Sequence, residues 1–162
     1  TKYWNILEYT VGFIRHSESK ASNIITLYGI IVTVVFVNAP IIIPLIAEKL
    51  VLQIAAILSV IPGIASFYFA LRCINPRLVK SEGNSVIYFG HIHAKFGSAR
   101  EYLEKSQELL DINDSYHAEL AQQIYINSGI AWKKFADVTM SLRLFAVNLV
   151  CILCTLFLGL TT

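Results

Sequence analysis

Two long uncharged runs, separated only by Glu48 and Lys49, constrain this chain more than any other feature. The first run covers residues 24–47 and the second covers residues 50–71. Each is close to the ~20 residues that a helix needs to cross ~30 Å of hydrocarbon. The sequence therefore predicts a membrane hairpin near the N-terminus.

A third uncharged run covers residues 144–160. A helix of about 17 residues is at the short end of the spanning range, so we expect tilt or local thinning of the bilayer. Most of the charge lies between the second and third runs. The pattern predicts a single-domain, all-α membrane protein with an N-terminal amphipathic helix (1–23), a first span with an outer linker (24–47), a second span (50–72), a two-helix cytoplasmic insert (73–136) and a third span (137–160).

Composition excludes several classes of protein. The chain has 162 residues, of which 56% are apolar and 15% charged, and its net charge is +2. A charge this small does not indicate nucleic-acid binding, and we expect no direct contact with DNA. Cys151 and Cys154 form a C-x-x-C pair inside the third apolar run, where packing is the expected role.

The distribution of Lys and Arg predicts the orientation. The N-terminal segment carries Lys2, Arg15 and Lys20, whereas the hairpin turn carries only Lys49. The remaining cations lie in the insert or at its edges: Arg72, Arg77, Lys80, Lys95, Arg100, Lys105, Lys133, Lys134 and Arg143. Because positive loops stay on the cytoplasmic side, we expect a multi-pass protein of the cytoplasmic membrane with its N-terminus and insert inside.

Helical periodicity and breakers predict the elements. Apolar residues recur at helical spacing over residues 3–20, and nothing separates this segment from the first span, so one helix is expected up to about Asn38, where Pro40 ends it. In the insert, one helix is expected over residues 85–110. A turn at 111–115 precedes a second helix that continues into the third span.

A stripe of small residues marks the second span. Ala55, Ser59 and Gly63 follow at four-residue spacing, which allows close approach of helix backbones in lipid. Contact with another subunit and packing within the chain are equally compatible with this stripe. Pro62 is expected to bend the helix, and the Ser59 hydroxyl is a candidate partner for the freed backbone group.

The sequence contains no catalytic constellation, and we expect neither enzymatic activity nor a cofactor. His91 and His93 are two residues apart, so on a helix they point in different directions and cannot share a metal ion. The spans carry ionised residues only near their ends, which argues against an ion-coupled transporter. This leaves an assembly that oligomerises and opens a pore or disturbs the bilayer.

Three stretches together resemble a known family. They are FIRHSESKASNIITLYG at residues 13–29, SVIYFGHIHAKFGSAREYL at 85–103 and LAQQIYINSGIAWKKFADVTMSLRL at 120–144. In this order and spacing they resemble the transmembrane effector domain of bacterial Pycsar anti-phage systems (PycTM-like). The resemblance implies an effector of the bacterial inner membrane that impairs membrane integrity when a cyclic nucleotide, cCMP or cUMP, appears.

The resemblance leaves the sensor open, because no separate cyclic-nucleotide-binding fold is visible. Either the helical insert holds the ligand or a partner protein does the sensing. A phosphate would require cations in the insert, and Arg77, Lys95 and Arg100 are the candidates. Two other classes remain: an accessory membrane effector of CBASS or CRISPR type triggered by an oligonucleotide or a protein partner, and a structural membrane subunit.

Overall fold

The computed structural model describes residues 2–77 and 85–161, which form six α-helices and no strand. The helices are α1 (Lys2–Val37), α2 (Ala39–Ala47), α3 (Leu50–Ile74), α4 (Phe89–Lys95), α5 (Ala99–Asp111) and α6 (Asn113–Thr161). Three of them, α1, α3 and α6, are long and apolar enough to cross a membrane. The predicted all-α class with three spans is therefore confirmed.

Prolines follow the ends of the first two spanning helices, α1 and α3. The first helix ends at Val37, as predicted from Pro40, and the Asn38 side chain donates a hydrogen bond to the Val34 carbonyl at 2.8 Å. The outer linker is itself the short helix α2, with Pro40 in its first turn, where no backbone donor is needed. The second span ends at Ile74, directly before Asn75 and Pro76.

The prediction of one helix over residues 85–110 is wrong, because the structure has two helices there, α4 and α5. The chain leaves helical geometry between α4 and α5, and Ser98 becomes the N-cap of α5. Its hydroxyl accepts a hydrogen bond from the Glu101 amide at 3.2 Å, while the Glu101 carboxylate accepts one from the Gly97 amide at 2.8 Å. This reciprocal cap satisfies two backbone donors and makes a new helix start favourable.

The chain forms two compact units, which we treat separately. The insert unit comprises residues 1–14 and 76–132, and the span unit comprises residues 15–75 and 133–162. In the span unit, the core lies between α1, α3 and α6. It is built from Ala21, Ile24, Tyr28, Ala70, Cys73 and Val138. Small residues at three of these positions let the helices approach closely, which is how helices associate in lipid.

The insert unit is held by polar contacts around the segment that precedes α4. The Glu119 carboxylate, on α6, accepts hydrogen bonds from the Ser85 hydroxyl at 2.9 Å and from the Val86 amide at 3.2 Å. The Ser85 amide donates to Nδ1 of the buried His91 at 3.1 Å. These bonds fix the start of α4 on α6. Residues 78–84 of the predicted insert lie outside the part of the chain that the structure describes.

Candidate functional site in the span unit

Polar side chains form a regular series between α3 and α6, which we call the polar ladder. Its three rungs pair Cys73 with Lys134, Ser66 with Ser141, and Ser59 with Asn148. Each rung is seven residues from the next on both helices. A seven-residue repeat is typical of helices that wrap around each other in a left-handed sense, so α3 and α6 pack as an antiparallel pair with one fixed register.

The first rung centres on Lys134, whose side chain is only 2% exposed. Its ammonium group donates to the Glu18 carboxylate of α1 at 2.8 Å, to the Asn75 carbonyl at 3.2 Å and to the Cys73 carbonyl. An ammonium has three donors, and all three are used here. Two acceptors are carbonyls at the C-terminal end of α3, where a cation is favourable. Lys134 therefore fastens all three spanning helices at one end.

A second ion pair lies one turn away on α6. Asp137 is buried, and its carboxylate is 3.2 Å from Nε of Arg72, a half-exposed residue in the last turn of α3. The Arg72 guanidinium also lies over the Phe69 ring, 5.6 Å from its centroid. The two ion pairs place buried charge of both signs at this end of the span unit, which we call the charged end.

The middle rung is symmetric and fully buried. The Ser66 hydroxyl donates to the Ser141 carbonyl at 2.8 Å, and the Ser141 hydroxyl donates to the Ser66 carbonyl at the same distance. Both side chains are completely inaccessible to solvent. Because each hydroxyl reaches the opposite backbone, the two helices must approach closely at this point.

The last rung combines a hydrogen bond with the predicted small-residue stripe. Nδ2 of Asn148 donates to the Ser59 carbonyl at 2.6 Å, and a Cβ at Gly63 would lie 3.1 Å from the same Nδ2. The Ser59 hydroxyl bonds to the Ala56 carbonyl at 2.7 Å. The structure thus places Ser59 and Gly63 against Asn148 of the same chain, while Ala55 is half-buried. Contact of this stripe with another subunit stays a prediction.

The ladder has a clear physical consequence in a bilayer. A polar group without a partner is costly in hydrocarbon, so paired rungs hold α3 and α6 in register. The same groups become polar surface if the helices separate or rotate. The paired rungs therefore stabilise the packing of α3 against α6 that the structure shows.

The three cations predicted to bind a ligand are placed differently. Lys95 lines an open groove with His93, Gly97 and Tyr102, whereas neither Arg77 nor Arg100 is among the residues of that groove. Arg100 is 88% exposed and pairs with Glu104 on its own helix at 3.1 Å. Among the described residues, the structure does not gather these three cations into one phosphate site.

A cavity of about 240 Å³ lies elsewhere in the insert unit. Its charged lining consists of three carboxylates and one ammonium: Glu101, Glu108, Glu119 and Lys105. Lys105 pairs with Glu108 at 2.9 Å, and this hydrogen bond, with the carboxylate charge, raises the pKa of Lys105. Excess negative charge disfavours a phosphate in this cavity. Among the described residues, no group of three His, Cys, Asp or Glu is placed to hold a metal.

Sequence reasoning missed the ladder, although its signal is present. The spacing of Lys134, Ser141 and Asn148 on the third span is seven residues, and the spacing of Ser59 and Ser66 on the second span matches it. Each series is too short to stand out alone, and the Glu18 partner of Lys134 is 116 residues away in sequence.

Comparison with known proteins gives one match. A family model described as the Pycsar effector protein domain matches residues 2–161, essentially the whole chain. No curated protein and no solved structure matches.

Proposed function

Since this chain belongs to the Pycsar effector domain family, which supports a role as an anti-phage membrane effector, we propose that it assembles in the bacterial inner membrane and impairs membrane integrity when a cyclic-nucleotide signal appears. The residues that carry this activity are those of the polar ladder and its ion pairs. The effector has a closed state, in which the rungs are paired, and an open state, in which they are not.

The observation that carries the proposal is the buried Lys134. A charge costs several kcal/mol to bury, so a span without a transport or catalytic task gains little from keeping one. Here the charge fastens three helices together through acceptors on α1 and α3. A fastening of this kind can be released, because water and other acceptors can replace each of its partners. A dry hydrophobic contact offers no such exchange.

Opening requires more than one chain. Three helices cannot enclose a water-filled path, so the open state is a homo-oligomer in which ladder residues face water. A trigger acts only through a higher affinity for the open state than for the closed state. The insert unit, through Arg77, Lys95 or Arg100, is the proposed receiver of a cyclic nucleotide such as cCMP or cUMP.

A second candidate keeps the same membrane action with a different trigger. In it, a sensing partner protein or an oligonucleotide-dependent system activates the chain, as in CBASS or CRISPR accessory effectors. The acidic lining of the insert cavity favours a partner protein, because a basic segment fits it better than a phosphate does. No observation favours a purely structural subunit.

The test compares two adjacent lysines in cells that express the chain with a matching nucleotide cyclase. Wild type and Lys133→Met, which removes an exposed cation, should depolarise the membrane only when the cyclase is active. Lys134→Met should depolarise it without the cyclase. Unchanged permeability of the wild type in the presence of the signal, with the protein present in the membrane, contradicts the proposal. Adding each cyclic nucleotide to the purified protein then separates direct sensing from sensing by a partner.

A further inference from the structure

Arg143 is an exposed arginine inside the third span. It lies two residues beyond the Ser66–Ser141 rung and six residues beyond Asp137, which puts it about 9 Å farther into the span than the Arg72–Asp137 pair. The side chain is exposed, and no hydrogen bond or ion pair joins it to any residue that the structure describes. The sequence analysis counted Arg143 with the cations of the insert and its edges, although the predicted third span (137–160) includes it.

The neighbouring helices carry no charge at this depth. From residue 21 to residue 47 on one side, and from residue 50 to residue 71 on the other, no charged side chain occurs. The antiparallel register of the ladder sets Arg143 level with Ile64, in the interior of the second run. If the hydrocarbon ended at this level, α3 would keep only about 15 residues within it, fewer than a span requires. This length argument places Arg143 within the hydrocarbon layer, and its exposed side chain points away from the packed helices.

The direction of the Arg143 side chain favours binding of an anion that lies at the charged end. Side chains on a helix lean toward its N-terminus, which for Arg143 is the direction of Asp137 and Lys134. Long cationic side chains in a span extend in this way toward the headgroups. An anion from the lipid leaflet at the charged end is thus within the natural reach of the guanidinium.

A second copy of the chain offers no such anion. Glu18 and Asp137, the acidic residues of the span unit nearest this level, are already paired with Lys134 and Arg72. A two-fold contact between two copies through this face would bring two Arg143 side chains together, which is repulsive in a low dielectric. The phosphate of a phospholipid is the acceptor that this environment supplies.

We propose that Arg143 is a lipid-binding site for the phosphate of an anionic phospholipid in the leaflet at the charged end. The guanidinium forms paired hydrogen bonds with the phosphate oxygens, a geometry that lysine cannot reproduce. Because the arginine lies below the headgroup level, the bound headgroup is drawn inward and the bilayer is thinned beside the polar ladder. The site exists in the resting protein and does not require the trigger proposed above.

Native mass spectrometry of the purified resting protein tests this site. Phosphatidylglycerol, phosphatidylcholine and inorganic phosphate are added separately to wild type, Arg143→Gln, Arg143→Lys and Lys133→Gln, the last being a matched loss of an exposed cation on the same helix. We expect phosphatidylglycerol to bind wild type and Lys133→Gln alike, Arg143→Gln about tenfold more weakly, and Arg143→Lys in between. Phosphatidylcholine and inorganic phosphate should bind more weakly than phosphatidylglycerol.

Three results would overturn the proposal. The first is equal binding of phosphatidylglycerol by wild type and Arg143→Gln. The second is an equal loss in Lys133→Gln, which would indicate general surface charge. The third is displacement of the lipid by inorganic phosphate. Because Arg143→Lys keeps the charge, it remains informative if Arg143→Gln fails to fold. Failure of this site would leave the triggered opening unaffected, since no signal is present in the experiment.

Discussion

The hydroxyls of Ser66 and Ser141 each donate to the backbone carbonyl of the other residue, at 2.8 Å in both directions. This exchange fixes α3 and α6 at a single register. Because the seven-residue repeat extends it to Lys134 and Asn148, a shift of one residue in either helix would break every rung together. The three rungs therefore act as one structural element, and the open state proposed above would have to break them together.

Replacing either serine of the middle rung tests how closely the helices approach. Ser66→Ala should cost about 0.6–1.7 kcal/mol, since it removes one hydrogen bond and leaves both carbonyls within their helices. Ser66→Leu should cost considerably more, because a fully buried position has no room for a larger side chain. Thermal unfolding in detergent measures both. Similar stability of the two variants would contradict the close contact.

The buried Lys134 should be important for both stability and resting closure. Lys134→Met leaves the Glu18 carboxylate and the Cys73 and Asn75 carbonyls without this donor, and breaking a buried pair costs about 3–5 kcal/mol. The cost here should be at the lower end, because Glu18 is 39% exposed. Melting of the purified protein checks this, with Lys133→Met as the neighbour that should change little. Equal melting temperatures for the two variants would show that the fastening is unimportant.

Two glycines of the spans provide a matched comparison. A Cβ at Gly63 would press on the Asn148 amide, whereas a Cβ at Gly29 would meet nothing within 4 Å. Gly29→Ala should stabilise the helix by up to about 1 kcal/mol, and Gly63→Ala should not. In an Asn148→Ala background the cost of Gly63→Ala should become smaller, since the amide nitrogen that lies 3.1 Å from the added Cβ is gone. Additive effects in this double-mutant cycle would argue against the Gly63–Asn148 contact.

The cap between α4 and α5 should stabilise the first turn of α5. Ser98→Ala removes the acceptor for the Glu101 amide and should cost about 1 kcal/mol. Hydrogen exchange should then become faster in the first turn of α5. Ser106→Ala is the control, because its hydroxyl bonds only to a carbonyl within the same helix. If exchange in the first turn is unchanged by Ser98→Ala, the cap does not hold the helix start.

The Lys/Arg asymmetry predicts the orientation in the membrane, and this prediction can be tested in intact cells. A cysteine replacing Lys49 should react with a membrane-impermeant reagent, and one replacing Glu108 should react only after the cells are permeabilised. The native cysteines at 73, 151 and 154 are replaced first, since three free thiols are present. Labelling of residue 108 and protection of residue 49 would reverse the topology.

The sequence by itself determined the three spans, the helix ends at proline and the family. These depend on properties that are local along the chain: the length of an uncharged run, the missing donor of Pro40 and the order of three motifs. The break at Gly97 and Ser98 was equally local, and the capping pair of Ser98 and Glu101 was there to be found. A continuous apolar period hid it, because α4 and α5 both keep apolar residues at helical spacing.

Only the tertiary structure decided which residues the polar side chains of the span unit contact. The sequence placed Lys134 in the insert or at its edge, but its burial depends on Glu18 and on the end of α3, which lie far away along the chain. The sequence also left open which residues of α3 lie level with Arg143, because the position of a charge on one helix says nothing about its neighbour. The register between α3 and α6 supplies that level. This register arises from hydrogen bonds between α3 and α6. These bonds form only when the two helices are packed together, so neither segment predicts them alone.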